Sequence, residues 1–224
     1  MTLQDQIRQE QIEQMQAPRK PYQWLVQTVS NMFHPLLTLT YVTFFICLYT
    51  PMCVYNVSTL AFFTFEVVFY TFLLPALIIL LLYKLHIIGH WALRDVRDRT
   101  IPFIINFVCY LTNFMVLQRN GFLPDWVLMP YFSSVILTFG AWVISFWWKI
   151  SAHAMGNADA TAFFILMYYY LPNIVPLWVV FGSILITGVV CSTRLYLGRH
   201  TMAQLGGGIL LGIFSLLIAY YIYF

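Results

Sequence analysis

Charge is what this chain lacks. Only 8% of its 224 residues are Asp, Glu, Lys or Arg, against 61% hydrophobic, whereas soluble domains carry about 25% charged residues. A water-facing globule of this size could not be covered, which excludes a soluble nucleotide-binding enzyme, a basic nucleic-acid binder and a disordered tail protein. The net charge of +3 is too small to argue for a polyanionic partner, and no nucleic acid is expected. Cysteine is also scarce: Cys47, Cys53, Cys109 and Cys191 lie singly in or beside apolar runs. Without C-x-x-C spacing they read as small apolar side chains, not as a disulfide framework or thiolate metal site.

What is abundant is long apolar sequence. A membrane span needs about 20 such residues, and polar breaks divide the chain after Trp24 into seven candidates: 35–56, 58–85, 101–118, 126–148, 154–171, 174–192 and 202–224. The third and fifth are short, so six full spans and a half-inserted hairpin is the alternative count. The expected fold is all-α, a polytopic transmembrane helical bundle over residues 23–224. Residues 1–22 hold no apolar run and do not read as a secretory signal peptide. Leu3, Ile7 and Met15 share one face, which predicts an interfacial helix ended by Pro18 and Pro21. Pro75 and Pro130 are expected to kink their spans. Gly208 and Gly212, a GxxxG pair in a run with Gly206 and Gly207, predict a close helix contact.

The few charges are placed asymmetrically. Of the eleven Lys and Arg, Arg8, Arg19, Lys20, Lys84, Arg94, Arg97, Arg99, Lys149, Arg194 and Arg199 fall on one face of this topology and Arg119 alone on the other. The positive-inside rule accounts for such a bias and would put that face in the cytoplasm. His153 and His200 fall on the same face, each where a span begins, and in the three loops 94–102, 149–153 and 192–200 that meet there Asp95 and Asp98 are the only carboxylates. Cations and imidazoles without a carboxylate cage suit an anion, phosphate above all, better than a divalent metal.

The last loop reads Ser192-Thr193-Arg194-Leu195-Tyr196-Leu197-Gly198-Arg199-His200-Thr201-Met202-Ala203-Gln204. An Arg, five residues, a His and a side chain four further on resembles the S-R-x-x-x-x-x-H-x-x-x-D motif of the type 2 phosphatidic acid phosphatase superfamily, with Gln204 where Asp is usual. Lys149-Ile150-Ser151-Ala152-His153 is similar to its P-S-G-H motif, with Ile for Pro and Ala for Gly. The run Arg94 to Pro102 is a looser counterpart of its first motif, K-x-x-x-x-x-x-R-P. The first-motif Lys is missing: either Arg97 is the equivalent position, or Lys149 or Arg94 supplies the second cation. The resemblance covers roughly residues 90–212 and extends to order, spacing and membrane side.

That resemblance implies a membrane phosphatase acting on a lipid phosphate or diphosphate through a phosphohistidine, without metal or other cofactor. His200 is the expected nucleophile, Gln204 its hydrogen-bonding partner one helical turn on, and His153 the proton donor to the leaving oxygen. Arg194, Arg99, Arg97, Lys149 and Ser151 are the expected phosphate ligands. Gln can orient an imidazole but cannot stabilise it as a cation as Asp can. A binding or transport protein that kept the pocket and lost the chemistry is the rival expectation. The bilayer and a phosphorylated lipid are the expected partners, and a bacterial inner membrane the expected location. Relatives mostly work on the outer surface of that membrane, against the face the positive-inside rule assigns. Glu66 and Asp159, ionisable groups inside spans, are expected to be protonated or hydrogen-bonded, with Asp159 and Asn157 the nearer to the site. His34, His86, Trp147, Trp148 and the run Tyr168 to Tyr170 read as interfacial side chains.

Overall fold

The computed structural model describes residues 21–50, 56–85, 96–121, 123–170 and 175–223, with side chains described from Thr100 onward in the helix that opens at Val96. The expected surface helix over residues 1–22 lies outside the described residues except for its last two positions, and so do His86, Arg94 and Cys53. Eight helices and no strand occur among the described residues: α1 Gln23–Met32, α2 Pro35–Tyr49, α3 Val57–Lys84, α4 Val96–Asn120, α5 Asp125–Ile144, α6 Ala152–Tyr170, α7 Leu177–Tyr196 and α8 Met202–Tyr223. Five of them, α3, α4, α5, α7 and α8, are long and apolar enough to cross a membrane; α1 and α2, bent by 54° at their junction, together form a sixth candidate. The chain is a multi-pass, all-helical membrane protein.

Prolines and polar caps set most of the boundaries. Pro35 has no amide to satisfy at the first position of α2, and the His34 ring Nδ1 accepts the Leu36 amide at 3.3 Å, so the break between α1 and α2 is a capped start. Pro124 and Pro176 stand immediately before α5 and α7. Within α3, Pro75 cannot donate to the carbonyl of Thr71. The helix answers by widening over Phe69–Leu73, where the Leu74 amide bonds the Phe69 carbonyl five residues back. The Tyr110 hydroxyl of α4 reaches the Thr71 carbonyl at 3.5 Å.

α6 is the hub. It packs on α8, α7, α2 and α5, while α4 pairs with α5 and α3 lies outside them. His153, Ala154, Met155, Gly156, Asn157, Ala158 and Asp159 form an unbroken buried run, which is why this helix tolerates polar residues that would exclude it from a lipid-facing position. The third expected span is longer than its apolar run, since α4 has 25 residues; the fifth, α6 with 19, is short as expected and is not among the five helices that qualify as spans, but it is central to the bundle.

The expected glycine contact joins α8 to α6. A Cβ on Gly208 would stand 2.9 Å from the Ser151 carbonyl oxygen, and one on Gly212 would meet the Met155 carbonyl and, at 2.9 Å, the Asp159 amide. Backbones this close leave room only for hydrogen at both positions. Phe103, Leu137, Ala141, Ile150 and Met155 pack together beneath the α5–α6 link, and the Ser145 hydroxyl lies 3.4 Å from that of Thr100. These contacts hold the opening of α4, the close of α5 and the opening of α6 at one end of the bundle.

Candidate functional site: a histidine and arginine cluster at one end of the bundle

The spacing between Arg194 and His200 is the product of one helix stop and one helix start. Gly198 takes φ +65° just beyond α7, with its amide on the Leu195 carbonyl at 2.9 Å and the Arg199 amide on the Arg194 carbonyl at 3.0 Å. This is the paired hydrogen-bond pattern by which a glycine in the left-handed region ends a helix. Two residues later the Thr201 hydroxyl accepts the Gln204 amide at 3.4 Å, and Gln204 Oε1 accepts the Thr201 amide at 3.1 Å. That reciprocal pair is a capping box. His200 sits between the two devices, half-buried.

The capping box also determines how Gln204 meets His200. Gln204 Oε1, committed as acceptor to the Thr201 amide, lies 3.3 Å from His200 Nδ1. An oxygen there can only accept, so Nδ1 carries the proton and the lone pair of the neutral ring is on Nε2. The expected partnership of His200 and Gln204 is thus formed, and Gln204 has a structural duty besides it.

Arg194, in the last turn of α7, donates from Nη1 to the Ser30 hydroxyl at 3.1 Å. Ser30 is fully buried in α1, and its backbone is hydrogen-bonded to the His153 ring. The Arg194 charge acts on His34 and His153, and His200 acts on His153 as well. His153 itself is 8% exposed, and its Nε2 has no hydrogen-bond partner among the described residues. Its ring stands edge-on to that of His34, with centroids 5.2 Å apart. Asn157, one turn further along α6, donates to the His153 carbonyl at 2.9 Å and the Phe33 carbonyl at 3.4 Å. Three helix junctions therefore meet here: α1–α2, the opening of α6, and α7–α8.

The remaining expected ligands fall at the same end with different roles. Ser151 is fully buried, and its Oγ receives the Ala154 amide at 3.4 Å, so it caps α6. Lys149 is half-buried in the link before it. Arg97 and Arg99 lie in the first turn of α4, which the Thr100–Ser145 contact anchors to this end. Arg199 is exposed.

Two expectations are corrected. His34 is not merely an interfacial side chain: it caps α2 through one nitrogen and packs against His153. Its signal was available, since a His-Pro pair opens an apolar run at the end where the cations gather. Asp159 is not a neighbour of this cluster but is fixed to α5, where the Ser133 hydroxyl donates to it. Glu66 fits the hydrogen-bonded reading, with Asn120 Nδ2 at 3.4 Å. Trp147 and Tyr169 are broadly exposed, as expected of interface anchors, while Trp148 also covers Gly207. Among the described residues no group of three or more His, Cys, Asp or Glu side chains is placed to hold a metal ion.

Comparisons of the chain with protein-family models, with curated proteins and with solved structures find no match.

Proposed function

We propose that this protein is a membrane phosphatase that removes phosphate from a lipid phosphate or diphosphate, with a core like that of the type 2 phosphatidic acid phosphatases and about six to seven spans. The observation that carries the reading is the convergence of Arg194, His153 and a His200 whose Nδ1 is held by Gln204. In this reading the Nε2 lone pair of His200 attacks phosphorus and the bond from phosphorus to the lipid oxygen breaks. His153, when protonated, gives that oxygen its proton from Nε2. Water then attacks the phosphohistidine and passes a proton to His153, releasing inorganic phosphate and restoring both imidazoles. Arg194 holds the equatorial oxygens, assisted by Lys149, Arg97 or Arg99 at the same end. A cell membrane, the bacterial inner membrane in particular, is the location this reading implies.

A second reading draws on Gln204. Its capping box accounts for the residue without catalysis, which suits a protein that binds phosphorylated lipid and does not turn it over.

The test is phosphate release by purified full-length protein in detergent with EDTA, on a panel of lipid phosphates and diphosphates. Release that the wild type shows and the His200→Ala variant loses is the expected result. A folded wild-type protein that binds these lipids and releases nothing would favour the second reading.

A further inference from the structure

Between α2 and α7, floored by α6, lies a cavity of ≈ 160 Å³ that opens to the side of the bundle. Asn157 lines it, and so does Phe33, whose carbonyl receives the Asn157 amide. The cavity thus begins where the histidine cluster ends. Its other walls include Tyr41, Phe164 and Ile186. Three hydroxyls on its lining are engaged within the protein: Thr161 Oγ1 bonds the Ser183 carbonyl at 3.1 Å and the Thr187 hydroxyl at 2.9 Å, the Ser183 hydroxyl bonds the Val180 carbonyl at 2.8 Å, and the Tyr41 hydroxyl bonds the Met32 carbonyl at 2.6 Å. What remains toward the space is hydrocarbon. With their hydroxyls engaged in this way, these side chains offer a ligand only carbon.

We propose that this groove receives the headgroup-proximal part of one hydrocarbon chain, and that the protein therefore acts on single-chain lipid phosphates in preference to diacyl ones. The proposal rests on the phosphatase or phosphate-binding reading of the adjoining cluster. Charge complementarity orients the occupant: Asn157 joins the cavity to the histidine cluster, which holds Arg194 for an anionic headgroup, and the apolar walls run on from Asn157 along α6 to Phe164. Size limits the number of chains. A dry cavity of about 150 Å³ holds one benzene ring, so this one takes about six carbons of one tail and has no place beside it for a second. The remainder of the tail runs out between α2 and α7 into lipid.

The probe is hexadecyl phosphate carrying a photoreactive diazirine on one of the carbons near its headgroup, added to the full chain in nanodiscs, with cross-links mapped by mass spectrometry. Wild type and His200→Ala are labelled in parallel, so that capture is read independently of turnover. The expected result is labelling of Tyr41, Phe164 or Ile186 in both proteins, competed by unlabelled hexadecyl phosphate and poorly by diacyl phosphatidate. Ala160→Phe and, as a second plug from the opposite wall, Ile186→Phe should each lose the labelling while eluting as folded protein. Equal labelling by the diazirine hexadecanol, equal competition by diacyl phosphatidate, or labelling that survives both plugs would overturn the groove. Release of phosphate from diacyl phosphatidate at the hexadecyl phosphate rate would overturn it while leaving the phosphatase reading intact. Specific labelling without any phosphate release would do the reverse.

Discussion

Both ends of this bundle bury polar groups, but they bury them differently. At the end distal to the cations, Glu66 is 6% exposed in α3, Asn120 is 3.4 Å from one of its oxygens, and the hydroxyls of Thr43 and Tyr131 pair at 2.7 Å. Cys47 and Thr64 lie 3.8 Å apart beside them. These groups come from the interior of α2, α3 and α5 and the last residue of α4, and they meet across packed helix faces. At the cationic end the polar groups come from helix starts and stops, where the chain turns and backbone amides are already exposed. An isolated buried carboxyl is a problem of packing that neighbours can solve. A set of imidazoles and guanidinium held at three junctions is an arrangement that can receive something.

The sharpest test of that distinction is Arg194→Ala. Removing one preorganised donor from a site that stabilises developing charge costs about 10²–10³ in rate, so phosphate release should fall by about that factor with little change in the folded yield. If release is unchanged, the Arg194–Ser30 contact is a structural tie between α7 and α1, and the two ends do not differ in kind. Gly212→Leu addresses the frame that holds the cationic end. A side chain there must displace the α6 backbone at Met155 and Asp159. Overpacking costs about 1–3 kcal/mol where side chains can yield, and backbone yields less, so thermal unfolding should move down sharply or folded protein should be lost.

How much of this was legible beforehand differs by residue. The segments that became α2 to α8 were readable because apolar runs broken by Pro, Gly and charge leave few choices for a chain in lipid. The GxxxG contact was readable because four small residues cluster there and let helix backbones approach closely. The central place of α6 was not, since hydropathy averages over a helix and cannot tell a buried polar helix from an interfacial one. His34 reads from the sequence as an interfacial side chain: the His-Pro pair marks a helix start, but nothing in its own neighbourhood says that α6 will bring His153 to it. The Thr201-x-x-Gln204 capping box, by contrast, stands plainly in the sequence. A catalytic role for Gln204 and its role in that cap draw on the same side-chain oxygen, so neither excludes the other.

Two milder substitutions separate the turn from the chemistry. Gly198→Ala places a Cβ in the left-handed region, which costs about 1–2 kcal/mol, and it should lower the thermal midpoint by several degrees. Because Gly198 sets the path from Arg194 to His200, release should fall more than Arg199→Ala makes it fall. Gln204→Ala removes the acceptor from both His200 Nδ1 and the Thr201 amide and should cost about 1 kcal/mol of stability through the cap alone. Gln204→Glu restores the cap and adds the carboxylate that the imidazolium would favour. If the residue only caps α8, Glu should recover stability without changing release; if it orients His200, Glu should recover both.

The smallest effect is expected at the distal end. Glu66→Gln keeps the shape of the side chain and its contact with Asn120 while removing the only ionisable group of that cluster besides Tyr131 and Cys47. A buried carboxyl that serves packing loses little by this exchange, so stability should stay within about 0.5 kcal/mol and phosphate release should be unaltered. Glu66→Ala should cost more, because it leaves a cavity and strips Asn120 of its partner. A Glu66→Gln protein that folds as well as wild type yet loses release would mean that the distal carboxyl acts on the cationic end through α3 and α4. The comparison between the two ends would then be one between coupled sites, with Glu66 holding a proton that the other end feels.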